Sequence, residues 1–552
     1  MRKRVTKNGL SVHAIAGTHV VLLGMNLPKA KCSGLLGFAI RRTDPTEGET
    51  YWLSGYKTFA SVEPHPAEGV AYSTHQHPIQ GFTWSDFSAK PGRPYTYEVV
   101  ALRGDAKEPK KRERVSVDVT TEAESDTTSK HHVHFNRGAA ASQEYTRRFG
   151  NKSPKQVGQA AFDWLSRGAA EAIAGYIARA KDATWGLRVC AYEFAESHVL
   201  QGLKDAKKRK ADVQVLYHAR NDATKKANEK HIKDFGLEKI CHPRNARGLA
   251  LSHNKFIVLT RNGKAKAVLT GSTNFSDGGI YGHSNVVHVC EDGAIAAKYL
   301  RLWNELAKND DRASAAPVIA ADSPLPAHGG AAGTTPIFSP RDDLSALQWY
   351  AKEAKGPGAL FMTFAFGMHE FFQDAYRNGK ARLRFALMEQ MSGPTKTPAQ
   401  KKANEAKIIA LRKMSANKFA IGAHLPGGAF DHWAEERLTG LNRNVRYLHT
   451  KYMLVDPLGP SPMVVSGSAN FSAASTEDND ENMLIIRGDE RVADIYLGEF
   501  MRLYRHYAFR DFMGSKKAKK QKGKINHLDE TDRWWRAYFG TSFEARQREY
   551  FA

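Results

Sequence analysis

The sequence predicts an α/β protein in which two similar α/β lobes, related by a pseudo-twofold axis, follow an N-terminal β-sandwich. Three observations predict it. Residues 1 to about 120 form short β-rich runs with no helical spacing between them. The remainder holds two segments that repeat each other in register. Each repeat alternates strand-like and helix-like stretches, the pattern of a layered α/β fold.

The amino-terminal runs are Val20-Val-Leu-Leu, Leu35-Leu-Gly-Phe-Ala-Ile, Tyr95-Thr-Tyr-Glu-Val-Val-Ala-Leu and the alternating Val115, Val117 and Val119, separated by Gly, Pro and charged turns. Strands at this spacing build a sandwich over residues 1–120. The Tyr95 strand resembles the late tyrosine-bearing strand of fibronectin type III domains, a likeness confined to this region. Residues 121–134 are polar and read as a linker. A second linker, 310–335, is rich in Ala, Pro, Gly and Ser. The lobes then occupy 135–309 and 336–513, and a basic, aromatic extension covers 514–552.

The repeat is the most informative feature. Lys225-Lys-Ala-Asn-Glu229 recurs at Lys401, His253-Asn-Lys255 as His449-Thr-Lys451, and Gly271-Ser-Thr-Asn-Phe-Ser276 as Gly467-Ser-Ala-Asn-Phe-Ser472. The separations are 176, 196 and 196 residues, so one insertion before His449 accounts for the jump. That period is too long for a solenoid and indicates a duplicated domain. Within the first copy, Gly186 to Tyr192 is strand-like, His198 to Lys208 helix-like and Val213 to Tyr217 strand-like. The expected state is a monomer carrying an intramolecular pseudo-dimer.

Composition narrows the class. The chain has 552 residues, 41% hydrophobic and 10% aromatic, as in an ordinary globular protein of several domains. No run of about 18 apolar residues occurs, so no membrane-spanning helix is expected. Met1-Arg-Lys-Arg has the charge of a signal-peptide start, but His13, Gly17 and His19 interrupt the apolar stretch after it, so either a cytoplasmic location or export by another route is expected. Cys32, Cys190, Cys241 and Cys290 are scattered and show no CxxC pairing, which argues for buried thiols rather than zinc or disulfides. The net charge of +23 draws the chain to polyanions, whether nucleic acid or an anionic membrane surface. A lysine run, Lys516 to Lys524, precedes Trp534-Trp-Arg-Ala-Tyr-Phe539. It reads as a solvated loop or a polybasic phosphate contact. The aromatics beyond it read as docked on the lobe or seated at a membrane interface.

Chemistry concentrates in the repeated motifs. On a strand, residues i and i+2 share a face, so His253 would project with Lys255, and His449 with Lys451. A neutral imidazole can attack phosphorus or pass a proton, and a lysine beside it can hold non-bridging phosphate oxygens. In Gly-Ser-x-Asn, glycine admits close backbone approach, while Ser272, Ser468, Asn274 and Asn470 offer hydrogen bonds to an anion. No acidic cluster accompanies them, so neither metal nor other cofactor is expected. An ordinary structural role is expected of the other histidines, including His131-His-Val-His134.

His-x-Lys followed by Gly-Ser-x-Asn, present twice and with an Asp between them in the second copy, resembles the motif of the phospholipase D superfamily over roughly residues 130–510. The resemblance implies one phosphodiesterase site shared by both lobes. It further implies a covalent phosphohistidine on one histidine, more often His253, and protonation of the leaving group by the other, His449. Two departures stand out. Asp456, a local support in the family, has Thr260 as its first-half counterpart. Asn479-Asp-Glu-Asn482 resembles the segment whose glutamate backs the active histidine; this puts Glu481 behind His449 and Ser284 behind His253, so that their pKa values should differ. Trp185, Tyr192, Phe364 and Phe366 fall at strand ends near the expected site. Three functions are open: a phospholipase acting on head groups by hydrolysis or transfer, a nucleic-acid phosphodiesterase, and an inactive binding protein.

Overall fold

The computed structural model describes residues 1–67, 70–138, 143–150, 152–220, 222–422, 448–513 and 524–552. The amino-terminal strands form two antiparallel four-stranded sheets. One runs Arg2–Lys7, Leu10–Ala16, Val21–Asn26, Thr83–Asp86; the other runs Pro109–Thr120, Pro94–Gly104, Leu35–Asp44, Glu49–Trp52. Period-2 patterning decides which face is buried: Val115, Val117 and Val119 point inward, while Ser116, Asp118 and Thr120 face solvent. Val12, Leu23, Phe38, Ile40, Tyr97 and Val117 belong to one core shared by the two sheets. Burying each such side chain contributes about 1.5–3 kcal/mol. The Tyr95 hydroxyl accepts the Lys90 amide at 2.9 Å, which pins the entry to its strand.

The lobes repeat strand for strand. The first sheet runs His131–Phe135, Val286–Cys290, Lys264–Gly271, Phe256–Arg261, Trp185–Ala191, Asp212–His218, Cys241–Arg244. The second runs Gly333–Ser339, Asn479–Arg487, Met463–Gly467, Tyr452–Val455, Ala359–Phe364, Leu383–Met388, Asn417–Ile421. In each, the last three strands are parallel and the others antiparallel. Two stretches expected to be linkers are structured. His131–Phe135 pairs with Val286–Cys290 and so opens the first lobe. Residues 310–335 hold the helix Arg312–Asp322, started by Asp311, whose side chain accepts the Ser314 amide. Alanines there pack under the interface instead of marking a flexible tether: Ala315 and Ala316 are buried.

A common core joins the lobes: Val258, Val268, Tyr299 and Trp303 cluster with Phe338, Phe361, Leu484, Tyr496 and Phe500. Arg244 and Asp480 form a fully buried ion pair across the same interface, at 3.0 Å. The C-terminal aromatics dock mainly on the amino-terminal sheets, neither on the lobe alone nor at an open surface. Trp534 Nε1 donates to the Leu35 carbonyl at 2.8 Å, and Trp535 belongs to the sandwich core. The helix Phe543–Phe551 bridges onward to the second lobe, with Phe543 5.1 Å from Phe385. Except for Lys524, the lysine run lies outside the described residues. Among the described residues no helix is long and apolar enough to cross a membrane.

Candidate active site

The His-x-Lys motifs are not inside strands. Each occupies the step where the chain leaves one sheet for the other. Leu251–Ser252 pairs with Asn479 and Asp480 of the second lobe, whereas Phe256–Arg261 belongs to the first. Symmetrically, Leu448 bridges to Ser284 before the chain enters Tyr452–Val455. The His253 amide donates to the Asp480 carbonyl at 3.0 Å, and the His449 amide to that of Ser284 at 3.2 Å. The expected strand alternation of His and Lys is therefore absent. Instead each lysine folds back: Lys255 Nζ donates to the His253 carbonyl at 2.5 Å, and Lys451 Nζ to that of His449 at 2.6 Å.

This exchange of backbone decides what stands behind each imidazole. Glu481 follows Asp480, so its carboxylate reaches His253 Nδ1 at 2.8 and 2.9 Å. Asn285 follows Ser284, and its Oδ1 lies 2.9 Å from His449 Nδ1. The expected partners are thus corrected twice: Glu481 backs His253, not His449, and Asn285, not Ser284, fills the matching place behind His449. Ser284 supplies its carbonyl; its buried hydroxyl has no hydrogen-bond partner among the described residues. Spacing identifies Asn285 as the counterpart of Glu481, since each lies 14 residues after the glycine of Gly-Ser-x-Asn, but it does not say which histidine either one serves.

The network fixes the tautomers. Asn285 Nδ2 donates to the Gly279 carbonyl at 2.7 Å, while Oδ1 accepts the Ser272 hydroxyl at 2.8 Å. An amide oxygen only accepts, so His449 carries hydrogen on Nδ1 and keeps Nε2 for chemistry. Glu481 imposes the same tautomer on His253. The centroids of the two rings are 6.5 Å apart. Burial pushes His253 down to about 4, against the pull of Glu481. Burial, then Lys451, puts His449 well below the ordinary imidazole range. Lys255 is lowered by burial to about 8, and burial with the neighbouring Lys255 takes Lys451 well below the usual lysine range.

The other expected residues divide. Among the described residues the buried carboxamide oxygens of Asn274 and Asn470 have no hydrogen-bond partner. A Cβ at Gly271 (φ +133°) or at Gly467 would strike the carbonyl oxygen of Val286 or Asn482, which is why both motifs need glycine. Ser468 accepts the Asn482 amide at 3.0 Å, the counterpart of Ser272 with Val286 at 3.1 Å. Asp456 is remote: it ends its strand and accepts the Tyr550 hydroxyl at 3.1 Å. Trp185 lies at the far end of its strand under Arg261, and Phe364 is core. Tyr192 is at the site, its ring 4.8 Å from that of His253.

Sequence reasoning passed over several groups. His283 lies 4.5 Å from His449, ring to ring. His218 Nδ1 accepts the Ser252 amide at 3.0 Å, and Glu389 accepts the equivalent Leu448 amide at 2.9 Å. Glu193 accepts the Ser276 hydroxyl at 2.6 Å, beside the Gly-Ser-x-Asn loop. Strand register aligns Leu187 with Leu360, which makes Ala365 and Phe366 the second-lobe equivalents of Tyr192 and Glu193. Among the described residues no group of three or more His, Cys, Asp or Glu is placed to hold a metal.

Residues 176–307 and 403–504 match the family described as cardiolipin synthase, PLD-like domain, one segment holding each histidine. No curated protein matches the sequence. Among solved structures, phosphatidylserine synthase of Haemophilus influenzae is 12% identical over 62% of this chain and 85% of its own, with a TM-score of 0.44. Polyphosphate kinase of Porphyromonas gingivalis is 12% identical with a TM-score of 0.39; the match takes in 62% of this chain but only 48% of the kinase. Nuc of Salmonella typhimurium, a phospholipase D family member, is 24% identical over 26% of this chain and 88% of its own, with a TM-score of 0.22. With its two motifs in the two matched segments, the chain belongs to the phospholipase D superfamily of phosphodiesterase-type enzymes.

Proposed function

We propose that the protein hydrolyses phospholipid head groups, or transfers them to another alcohol, through a phosphohistidine on His253 and without a metal. The observation that carries the reading is the unequal backing of the two imidazoles, Glu481 on His253 and Asn285 on His449. A carboxylate stabilises the positive charge that His253 acquires as Nε2 bonds to phosphorus. His449, backed by a neutral amide, holds its Nε2 proton weakly and gives it up readily. In the first step the N–P bond forms and the P–O ester bond breaks, while His449 protonates the departing alkoxide. In the second, neutral His449 takes a proton from water, whose oxygen attacks phosphorus and breaks the N–P bond. Lys255, Lys451, Asn274 and Asn470 are proposed to hold the non-bridging oxygens.

The asymmetry of the site favours lipid. Tyr192 and Glu193 of the first half correspond by strand register to Ala365 and Phe366 of the second. An aromatic ring beside a carboxylate suits a cationic alcohol such as choline or ethanolamine. An apolar counterpart suits a hydrophobic arm, whereas a nucleic-acid strand is anionic on both sides of the scissile bond. The net charge of +23 favours the second reading, a nuclease with the same histidines. The test is purified protein in EDTA against phosphatidylcholine, phosphatidylethanolamine, single-stranded DNA and duplex DNA. Head-group release that is lost in His253→Ala supports the lipid reading. DNA cleavage alone replaces it with the nuclease, and a strict need for magnesium or zinc overturns the mechanism.

A further inference from the structure

We infer that His283 is a positioning residue for His449: an uncharged aromatic plate that fixes the plane of the His449 imidazole and stabilises its protonated form. The inference rests on the reading of His449 as general acid.

The two rings are 4.5 Å apart at 36°, and His283 is 7% exposed. Both hang from one amide: Asn285 Oδ1 takes the His449 Nδ1 hydrogen at 2.9 Å, and Asn285 Nδ2 donates to His283 Nδ1 at 2.8 Å. The Gly279 carbonyl prevents that amide from flipping, so His283 Nδ1 must present a lone pair. A ring whose Nδ1 is committed as an acceptor is neutral. Burial and Lys451 support this by pushing His283 down to about 3. The residue follows a π-helical turn, Gly278–Gly282, a rare geometry found frequently at functional sites.

The plate answers a need peculiar to this side of the site. Burial, then Lys451, His283, Lys255 and His253, all work against a proton on His449, and His283 stops doing so once its ring is neutral. Asn285 is neutral, and Glu389 is engaged with the Leu448 amide. Among the described residues no carboxylate hydrogen-bonds the His449 ring. The π face of a neutral ring attracts the imidazolium that the acid step requires. The corresponding position in the second half is Asn479, whose Nδ2 reaches Glu481 at 3.3 Å, so His253 has a carboxylate where His449 has a ring.

The test compares His283→Ala, His283→Asn and His283→Phe, each checked for folding by circular dichroism. Turnover is measured on two soluble phosphodiesters, one with an alkyl and one with a p-nitrophenyl leaving group. The His449 imidazole is titrated by NMR with and without inorganic phosphate. Loss of the plate should lower kcat for the alkyl ester by about 10- to 100-fold while barely changing the p-nitrophenyl ester, whose departure needs no acid. It should also move the His449 titration to lower pH. Phe, which keeps the face and lacks the nitrogen, should recover most of the loss. Equal losses on both esters, a Phe variant as poor as Ala, or an unmoved His449 titration would overturn the inference. Should Ala fail to fold, the contrast between Phe and Asn decides. Wild-type protein inactive on both esters would count against the phosphodiesterase reading, and the NMR titration would still judge the plate.

Discussion

Glu481 in the second lobe holds Nδ1 of His253 in the first, 228 residues earlier in the chain, at 2.8 Å. The pairing follows from backbone. Because Leu251–Ser252 joins the partner lobe's sheet beside Asp480, the next residue of that strand meets the next residue of the motif. The reciprocal arrangement brings Asn285 to His449. Neither lobe alone therefore contains a complete histidine pair, and closing the interface is what assembles the site.

Exchanging the two supports should redistribute proton affinity between the histidines. Glu481→Gln keeps a hydrogen bond to His253 but removes the charge, and kcat should fall by about 10²- to 10⁴-fold. Asn285→Asp sets a carboxylate against His449 and raises its pKa. Because the acid works only when protonated, a raised pKa carries its active form to higher pH, and the alkaline limb of kcat should move upward. The pH profile of each variant on a soluble phosphodiester measures this. An Asn285→Asp profile superimposed on that of the wild type would show that Asn285 does not govern the acid.

Leaving-group chemistry should separate the two histidines. If His253 is the nucleophile, as proposed, His253→Ala should abolish turnover of every ester. If His449 serves only as the acid, an ester with a p-nitrophenyl leaving group should retain far more activity in His449→Ala than an alkyl ester. On the alkyl ester each single variant should lose several orders of magnitude, and the double variant little more, since the pair acts as one unit. Reversed behaviour would exchange the roles, with His449 as nucleophile.

The lobes and their two histidines were legible because duplication repeats a rare combination at fixed spacing: His253 and Lys255 before Gly271-Ser-Thr-Asn274, and again from His449. The strands of the sandwich were legible through alternation at Val115, Val117 and Val119. The partner of each histidine was not, because it is chosen by a strand exchange between lobes, and a pattern within one lobe carries no trace of that exchange. His283 was passed over for a related reason. A histidine in a glycine-rich turn has no periodic neighbours, and only the π-helical turn brings its ring against His449. The helix Arg312–Asp322 was hidden by a composition of alanine and proline that also describes a linker.

The interface that assembles the site should depend on Arg244 and Asp480. Arg244 Nε donates to the Asp480 carboxylate at 3.0 Å, and both side chains are buried. Arg244→Met strands a carboxylate that burial already pushes toward its neutral form. That substitution should cost about 3–5 kcal/mol by chemical denaturation. Asp480→Asn leaves an acceptor for the guanidinium and should cost less. Because the Asp480 carbonyl also holds the His253 amide, Arg244→Met should lower kcat before it unfolds the chain. An Arg244→Met protein as stable and active as the wild type would show that apolar packing alone holds the lobes together.

Anion binding should draw protons into the site. Two lysines and two histidines are buried together, with Glu481 on His253 and Glu193 also acting on the lysines. Lys255 is thereby lowered to about 8, and Lys451 lies well below its ordinary value. A phosphate between the lysines favours their charged forms and raises both pKa values. With Lys255 lowered to about 8, anion binding in that pH range should be accompanied by proton uptake. Below about pH 7 Lys255 is already protonated, and its share of the uptake should disappear. Calorimetry of inorganic phosphate binding in buffers of different ionisation enthalpy reads the number directly. Uptake should be larger at pH 8.5 than at pH 6.5 and should shrink in Lys255→Met. Proton release at both pH values would mean that the lysines are fully charged before the anion arrives, and that burial does not set their state.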